Sequence, residues 1–507
     1  MLSKNAVYLL EKRYCRSGES PEGVFKRVAE LLGQGDRKFE ERLFEVMSMG
    51  IFLPNSPCLF NAGTPGGNLH ACYTLAVEDS LDSIFTAVTN MARIFKDGGG
   101  VGINYSPLRE KGASLSGGGT SSGPLSFMGN FDATVETVKQ GGKRRGALIG
   151  ILYYWHPDIF DFIKVKLIGK LQNFNLSILV DDAFMKMVDT DKKISLKSPK
   201  GYKTESVRAS DIFEVASFTA WCNGDPGLLF YDRINQDNPF FPDIKIDTCN
   251  PCSEVALPHY SACCLGSINL SKFIWKNDFN FERFEETSKL GMRALTAMNK
   301  ISHYPMPEIE EAMTKYNPVG LGVMGFADCL IKLGIKYDSK ECLDFIDKLG
   351  EVYKKVTDEY SKDTFYFYKR IIAPTGSLSI LADCSSGVEP IFDTTFEKRL
   401  TIGVIEETKE LYKSEHARTA HQVSPEWHVK ILAQWQKWVN GGVSKTINLP
   451  HDASVNDVRK VYKLAWELGC KGITVFRDGC RGEDGQAWVR PNTGTKSAKC
   501  SDEECVL

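Results

Sequence analysis

The chain has 507 residues, which is enough for about three domains of ordinary size or for one large barrel with additions. Hydrophobic residues make up 42% of it, charged residues 25%, and the formal net charge is −2. This composition is typical of a soluble globular protein and excludes a global basic field for nucleic acid. No long apolar run occurs, and the run at positions 6–10 is too short for a signal sequence. We therefore expect a cytoplasmic protein that binds neither nucleic acid nor a membrane.

The predicted elements begin with helices. Apolar residues at helical spacing predict an N-terminal helical cap over residues 1–51. Over residues 52–481, short apolar runs alternate with amphipathic stretches and glycine-rich turns, a pattern typical of an α/β fold. The strand candidates are residues 147–154, 176–180, 371–373 and 473–476. A late helix is predicted to begin at the capping-box pair Ser454 and Asp457 and to end at Gly469.

The fifteen cysteines are spread along the chain, which favours thiol chemistry or buried small side chains over a disulfide framework. Cys249 and Cys252 form a Cys-x-x-Cys pair, but without a second pair the sequence does not predict a structural zinc site. Residues 482–507 are polar and aperiodic, which is typical of a flexible tail. Cys500 and Cys505 lie near the end of this tail.

One segment, Asn250–Glu254, carries an amide, a thiol and a carboxylate at alternate positions. Alternate side chains of an extended segment project to the same side. That side would offer a hydrogen-bonding amide, a sulfur for one-electron or nucleophilic chemistry, and a general base. The alternative is a turn with a buried cysteine.

Two further features suggest a redox pair and a phosphate site. Cys72 and Cys263 each stand beside small residues at the start of an apolar run, so they could meet as a dithiol or remain two separate buried thiols. Residues 373–380 read as a strand, a Gly/Ser/Thr turn and a helix. Such a turn can bind phosphate through backbone N–H groups and hydroxyls, or it can be an ordinary capped helix start.

Together these segments resemble the catalytic subunit of ribonucleotide reductase, and within that family the adenosylcobalamin-dependent class II enzymes. The resemblance runs over residues 53–481. Its motifs, in family order, are Pro54–Pro57, His70–Tyr73, Gly98–Gly102, Gln140–Gly146, Asn250–Glu254, Cys263–Leu270, Gly320–Asp328, Pro374–Ser379 and Gly472–Arg481. It implies a ten-stranded α/β barrel of two half-barrels over residues 52–481, with a central finger loop. The implied activity is reduction of ribonucleoside di- or triphosphates to deoxyribonucleotides.

The resemblance also implies roles for single residues. Cys252 would carry the thiyl radical that abstracts the 3′ hydrogen, Glu254 would accept the 3′-hydroxyl proton, and Asn250 would hydrogen-bond the substrate. Cys72 and Cys263 would supply a proton and two electrons and end as a disulfide. The implied substrate contacts are Ser56, Ala71, Cys72, Gly100, Asn250, Pro251, Cys252, Ser253, Glu254, Pro374, Thr375, Gly376, Ser377 and Leu378. We expect no metal ligands among these residues.

Regulation follows from the same resemblance. Asp79 and Arg109 match positions that hold a deoxynucleoside triphosphate effector, and Lys139 and Arg144 lie in the loop that would relay its identity to the substrate base. Taken without the family, Asp79 and Arg109 are surface charges. The helix over residues 80–96 would pair with its copy in a homodimer.

Electron supply is the role that the resemblance assigns to the tail. Cys500 and Cys505 look like the family's shuttle pair, which would pass electrons from a thioredoxin- or glutaredoxin-type reductant to the inner dithiol. Cys264 follows Cys263 where relatives usually carry Asn or Thr, so the identity of the inner partner depends on the alignment. We assign that role to Cys263.

The radical source is the last implied property. Phe476 stands where class I subunits place one of two adjacent tyrosines, and phenylalanine has no phenolic hydrogen. This favours adenosylcobalamin over a class I radical path. The alternatives are a class I large subunit that needs a metal-containing partner, and a non-catalytic nucleotide-binding regulator on the same fold. Such a regulator would be expected to have lost Cys252 or Glu254, and both are present.

Overall fold

The computed structural model describes residues 2–138, 146–200, 203–400, 402–481 and 488–489. Its helices are α1 (Lys4–Leu9), α2 (Pro21–Gly33), α3 (Arg37–Ser48), α4 (Ser56–Asn61), α5 (Leu81–Lys96), α6 (Pro124–Thr137), α7 (Ile159–Lys164), α8 (Asp182–Asp189), α9 (Ala209–Asn223), α10 (Tyr231–Gln236), α11 (Phe281–Ile301), α12 (Pro307–Tyr316), α13 (Phe326–Leu333), α14 (Lys340–Tyr360), α15 (Leu378–Leu381), α16 (Pro425–Gln436) and α17 (Val455–Glu467). A π-helical turn covers Leu10–Tyr14, and 3₁₀ turns cover Leu270–Phe273 and Glu410–Lys413. None of the helices in these ranges has the length and apolarity needed to cross a membrane.

The strands are β1 (Phe52–Pro54), β2 (Cys72–Leu75), β3 (Gly100–Asn104), β4 (Leu148–Tyr153), β5 (Phe174–Val180), β6 (Lys193–Lys197), β7 (Lys203–Arg208), β8 (Gly227–Phe230), β9 (Ala262–Asn269), β10 (Ile274–Trp275), β11 (Asp278–Phe279), β12 (Val319–Met324), β13 (Thr395–Leu400), β14 (Gly403–Thr408), β15 (Thr446–Leu449), β16 (Gly472–Arg477) and β17 (Trp488–Val489). Three of the predicted strands correspond to β4, β5 and β16. The fourth, residues 371–373, forms isolated bridges instead of a continuous strand.

The late helix is confirmed as α17. Ser454 Oγ accepts a hydrogen bond from the Asp457 backbone N–H, and the Asp457 carboxylate accepts one from the Ser454 backbone N–H, so both halves of the predicted capping box are present. The helix ends at Glu467, and Gly469 follows with a φ of 77°. A positive φ is inexpensive for glycine, which explains why the chain can turn sharply into β16 there.

Five parallel strands form the first half of the central sheet, in the order β2, β3, β4, β5 and β8. The second half is also parallel: β9 pairs with β12, and β15 pairs with β16. Residues 370–372 lie between these two pairs, bridging Leu321 on one side and Val443 on the other. The halves meet in antiparallel contacts of β2 with β9 and of β8 with β16.

With residues 370–372 counted, ten strand segments follow one another in a ring. Strand pairing does not close this ring at one point, because residues 370–372 bridge Val443, in the chain before β15, and not β15 itself. The predicted α/β barrel of two half-barrels is confirmed in this arrangement, with residues 370–372 as its most irregular member. β1 lies outside the ring, paired with β9. Parallel strands need long crossover connections, and the helices between them supply these connections and cover the outside of the ring.

Candidate active site

Strand alternation sorts the barrel side chains into an inner and an outer set. On β4, Ile149 and Ile151 belong to the cluster inside the ring, whereas Leu148 and Leu152 pack with the surrounding helices. This is the period of two expected of a strand. The inner cluster also contains Cys72 on β2, so that sulfur faces the barrel interior.

Residues 249–256 form a loop that enters this interior. Cys249 and Ala256 form an antiparallel bridge, and the Asn250 N–H donates to the Val255 carbonyl at 2.9 Å. The loop lies so close to β3 that a Cβ on Gly102 would approach the Cys249 carbonyl oxygen to 1.6 Å. Only glycine therefore fits at that position. This is the predicted finger loop.

The finger loop is held from both halves of the barrel. Asn175 on β5 donates through Nδ2 to the Pro251 carbonyl at 2.8 Å. On the other half, the Gly442 N–H donates to the Glu254 carbonyl at 2.8 Å. At the tip, Ser253 has a φ of 66°, and its N–H donates to the Asn250 carbonyl at 2.9 Å. The loop backbone is thus held by hydrogen bonds from both halves of the barrel and from within the loop.

Asn250 connects the loop to the predicted dithiol. Its Oδ1 accepts from the Val255 N–H at 2.9 Å, and its Nδ2 donates to Cys72 Sγ at 3.0 Å. Cys72 and Cys263 stand directly opposite each other in the β2–β9 pair. Residues facing each other across an antiparallel pair have Cα atoms about 4.5–5.5 Å apart, which is within the range found in disulfides.

The thiols of Cys72 and Cys263 are protonated and can therefore donate protons. Burial raises the pKa of both Cys72 and Cys263 well above the usual thiol value, and the Glu254 carboxylate raises both further. Both sulfurs are therefore neutral thiols at physiological pH. The finger loop carries two different sulfurs: Cys252 is exposed, whereas Cys249 is buried and burial raises its pKa to about 12. Glu254 is buried at 1% exposure, on the same loop as the accessible sulfur.

The predicted phosphate turn follows the irregular barrel segment. Thr375 has a φ of 52°, and its Oγ1 accepts from the Gly387 N–H at 2.7 Å, while a Cβ added to Gly376 would meet open space. The other predicted substrate residues lie on neighbouring strands and helices. Ser56 begins α4, and the Ala71 carbonyl accepts from the Gly100 N–H at 2.7 Å. A Cβ on Gly100 would lie 3.1 Å from Pro251 Cγ, so this glycine lies against the finger loop.

Two family descriptions match the chain. The ribonucleotide reductase all-alpha domain matches residues 1–67, and the ribonucleotide reductase barrel domain matches residues 70–364 and 352–476. The barrel match alone covers more than half of the chain. The chain belongs to the ribonucleotide reductase family.

Curated relatives agree with this assignment. The vitamin B12-dependent ribonucleoside-diphosphate reductase of Thermoplasma acidophilum is 38% identical over 520 residues, covering 90% of this chain and 68% of the relative. The protein of the same name from Mycobacterium tuberculosis is 34% identical, covering 95% of this chain and 80% of the relative. The vitamin B12-dependent ribonucleotide reductase of Streptomyces avermitilis is 29% identical, covering 87% and 60%. The predicted family is confirmed.

Within this ribonucleotide reductase barrel, the structure separates the two neighbouring cysteines of β9. Cys263 belongs to the inner cluster with Cys72, whereas Cys264 packs in the outer core. Cys264 Sγ lies 3.1 Å from His70 Nε2, which also lies 2.9 Å from Asn299 Oδ1. Cys263 is thus the residue of the two that faces the finger loop.

A cavity of about 300 Å³ lies where β15 and β16 end. Ile447 and Val475 belong to the outer core, so strand alternation places Thr446, Asn448 and Phe476 on the inner face, and these three line the cavity. Phe392 and Phe396 contribute further aromatic wall. Within the part of the chain that the structure describes, no cluster of His, Cys, Asp and Glu could hold a metal ion.

The predicted effector residues lie away from the barrel interior. Arg109 Nε donates to both carboxylate oxygens of Asp79, at 2.8 and 3.0 Å, and Lys200 Nζ lies 3.0 Å from the same carboxylate. Burial alone would raise the pKa of Asp79, but the hydrogen bonds from Arg109 and Lys200 lower it overall. Lys139, Arg144, Cys500 and Cys505 lie outside the described residues.

Two polar side chains that the sequence analysis does not single out contact predicted substrate residues. Arg13 NH1 donates to Ser377 Oγ at 2.9 Å, and Tyr14 Oη lies 2.9 Å from Ser56 Oγ. Both belong to the π-helical turn. The sequence around them carries no turn or ligand motif, so only the tertiary structure brings them to the site.

Proposed function

We propose that the chain is the catalytic subunit of a ribonucleoside diphosphate reductase that uses adenosylcobalamin as its radical source. The observation that carries the proposal is the meeting of Cys72 and Cys263, on the barrel's inner face, with Asn250 of the finger loop, which also carries the exposed Cys252. The choice of diphosphate is supported by the names of the Thermoplasma acidophilum and Mycobacterium tuberculosis relatives, each more than 30% identical to this chain. Sulfur can carry a radical, and a facing dithiol can deliver two electrons.

The residues divide the reaction as follows. The Cys252 thiyl takes the hydrogen atom from the ribose 3′ carbon and becomes a thiol, while Glu254 takes the 3′-hydroxyl proton. The 2′ hydroxyl leaves as water with a proton from the Cys72–Cys263 pair. This pair then gives two electrons and its second proton, which goes to the 2′ carbon, and becomes a disulfide. Glu254 returns its proton to the 3′ oxygen, and Cys252 returns its hydrogen atom to the 3′ carbon. The sum is one ribonucleotide and one dithiol converted to one deoxyribonucleotide, one disulfide and water.

The residues present fit the cofactor. Cys252 is exposed, so a radical can be generated at its sulfur from outside the finger loop. The cavity volume suits a nucleoside-sized group, and Thr446, Asn448 and Phe476 would hold that group. Adenosylcobalamin, when bound, supplies a carbon-centred radical that can take the hydrogen atom of a thiol. Phe476 would contribute an apolar wall, since its ring has no hydroxyl hydrogen to exchange.

Electron supply and regulation complete the proposal. Cys500 and Cys505 would carry electrons from a thioredoxin- or glutaredoxin-type protein to the barrel disulfide, which fits a reducing compartment such as the cytoplasm. A deoxynucleoside triphosphate would bind beside Asp79 and Arg109. On the adjacent α5, Leu81 is 62% exposed and Phe85 is 49% exposed, which supports a homodimer through this helix.

The test is reduction of cytidine 5′-diphosphate by the purified chain with dithiothreitol. We expect deoxycytidine diphosphate when adenosylcobalamin is added and none when it is omitted. Activity that needs iron or manganese and a second subunit, with none from the cobalamin, would place the chain in class I instead.

A Cys500→Ser/Cys505→Ser variant should cycle normally with dithiothreitol but fail with thioredoxin, because only the small dithiol reaches the barrel directly.

The effector site has its own test. Arg109→Ala should weaken deoxynucleoside triphosphate binding by roughly tenfold or more, because a guanidinium hydrogen-bonded to a phosphate is a strong contact. Arg208→Ala is the matched control, since Arg208 forms an exposed ion pair with Asp191. Equal effector binding in both variants would return Arg109 to the role of a surface charge.

A further inference from the structure

The N-terminal π-helical turn, Leu10–Tyr14, reaches the substrate side of the barrel. π-Helical turns occur frequently at functional sites. Here two successive side chains of the turn contact two separate predicted substrate residues: Arg13 contacts Ser377 and Tyr14 contacts Ser56. The turn therefore forms part of the wall around the predicted phosphate site.

Arg13 is held in this position by the surrounding structure. Arg13 is only 5% exposed, and its guanidinium is buried together with a polar partner, Ser377, as arginines at this depth usually are. The helix that precedes it is anchored to the β13–β14 hairpin, since Tyr8 Oη donates to the Ile402 carbonyl and Asn5 Nδ2 donates to the Glu406 carbonyl, both at 3.0 Å. These contacts fix the guanidinium beside residues 374–378.

A second cation approaches the same turn from the hairpin. Lys398 is 4% exposed, and its Nζ donates to the Gly376 carbonyl at 2.6 Å. The turn at residues 374–378 is thus flanked by an arginine from the N-terminal segment and a lysine from β13. Two buried positive charges beside a Gly/Ser/Thr turn are the environment that a phosphate dianion requires, because burying charge is costly unless an opposite charge is near.

We propose that Arg13 binds the phosphate groups of the ribonucleotide substrate. The planar guanidinium can donate two parallel hydrogen bonds to a phosphate while keeping its contact with Ser377. The inference rests on the proposed function, in which residues 374–378 hold those phosphates. It makes the N-terminal segment a direct contributor to substrate recognition, in addition to its packing role.

The test compares the binding of cytidine 5′-diphosphate and cytidine by isothermal titration, without cofactor. Arg13→Gln should weaken diphosphate binding by roughly 10- to 100-fold and leave cytidine binding unchanged, since charged hydrogen bonds are strong. Arg13→Lys, which keeps the charge but loses the planar fork, should give a smaller loss. Lys12→Gln is the control: it removes the neighbouring charge from an exposed position and should change neither affinity.

The possible results distinguish failure of the proposed role of Arg13 from failure of the proposed function. If the wild type prefers the diphosphate and Arg13→Gln keeps that preference, Arg13 does not bind phosphate while the proposed function stands. If the wild type binds neither ligand, both proposals fail. Should Arg13→Gln not fold, Arg13→Lys decides: an unchanged preference for the diphosphate overturns the inference, and a reduced one supports it.

Discussion

Cys263 and Cys264 are neighbours on β9, and both are fully buried. Burial raises the pKa of each thiol well above its usual value. Their surroundings nevertheless differ completely. Cys263 faces Cys72 across the strand pair, inside the barrel, whereas Cys264 faces His70 in the outer core. Neither burial nor protonation distinguishes the two residues, so the face of the strand decides which one can take part in substrate reduction.

The hydrogen-bond network around His70 explains why Cys264 is unsuited to a reactive role. Asn299 Nδ2 donates to Asn317 Oδ1 and the Pro318 carbonyl, so its Oδ1 is left to accept from His70 Nε2. The proton of the imidazole therefore lies on Nε2, and Cys264 Sγ receives part of the same N–H. A histidine in this tautomer cannot take the thiol proton at Nε2, so it does not activate Cys264 as a nucleophile.

The largest effect is expected on the finger loop, which also carries two cysteines in different surroundings: Cys252 is exposed and Cys249 is buried. Cys252→Ala should lower turnover by roughly 10⁴-fold or more, because the sulfur acts in the chemical step, and should leave cytidine 5′-diphosphate binding nearly unchanged. Cys249→Ala is the matched control: Cys249 is the buried cysteine of the same loop, so its replacement should lower stability and leave turnover nearly unchanged. Product formation and ligand titration check both. Turnover by Cys252→Ala close to that of the wild type would rule out the thiyl assignment.

The comparison on β9 is tested directly by two serine variants. Cys263→Ser should lower steady-state turnover by roughly 10³-fold, because the two-electron donor is lost. Cys264→Ser should stay within about threefold of the wild type, since serine can keep the contact with His70. The measurement is deoxynucleotide formed per active site with dithiothreitol as reductant. Reversed effects would show that β9 is shifted by one residue relative to β2.

The helix start of α17 could be predicted because its capping box is local. The alternation of Asn250, Cys252 and Glu254 is also visible in the sequence, but the expectation of an extended segment with all three side chains on one side is wrong. The segment is a turn, in which Asn250 and Glu254 are buried and Cys252 is exposed, because Ser253 takes a positive φ. The choice between Cys263 and Cys264 could not be made from residue type, because it depends on the register between β9 and β2. Strand register is set by packing on both faces, and a slip of one residue exchanges those faces.

The contacts of the N-terminal segment were beyond prediction for a related reason. Arg13 and Ser377 are separated by 364 positions, and nothing local to either residue refers to the other. The irregular barrel segment at residues 370–372 behaves similarly: its apolar run predicts a strand, but the segment bridges each neighbour only once. These pairings join residues far apart in the sequence, whereas the pattern of a single sequence predicts only the local structure of neighbouring residues.

The smallest effect concerns the outer face and the pH dependence of stability. Burial lowers the pKa of His70 to about 4, although its hydrogen bond to Asn299 acts in the opposite direction. An unfolded histidine titrates near 6.5, so between these values the unfolded chain binds one proton more than the folded chain, and stability falls as the pH falls. Between pH 7 and pH 5 this group should cost about 2 kcal/mol.

The variant His70→Gln removes that titration. Urea unfolding at pH 7 and pH 5 should show a stability loss about 2 kcal/mol smaller in His70→Gln than in the wild type, whatever the absolute stability of the variant. His303→Gln is the control. His303 is exposed, and it directly follows Ser302, whose hydroxyl contacts His70 Nδ1. If His70→Gln and His303→Gln lose the same stability between the two pH values, His70 titrates normally. The network that holds Cys264 on the outer face would then be looser than its geometry indicates.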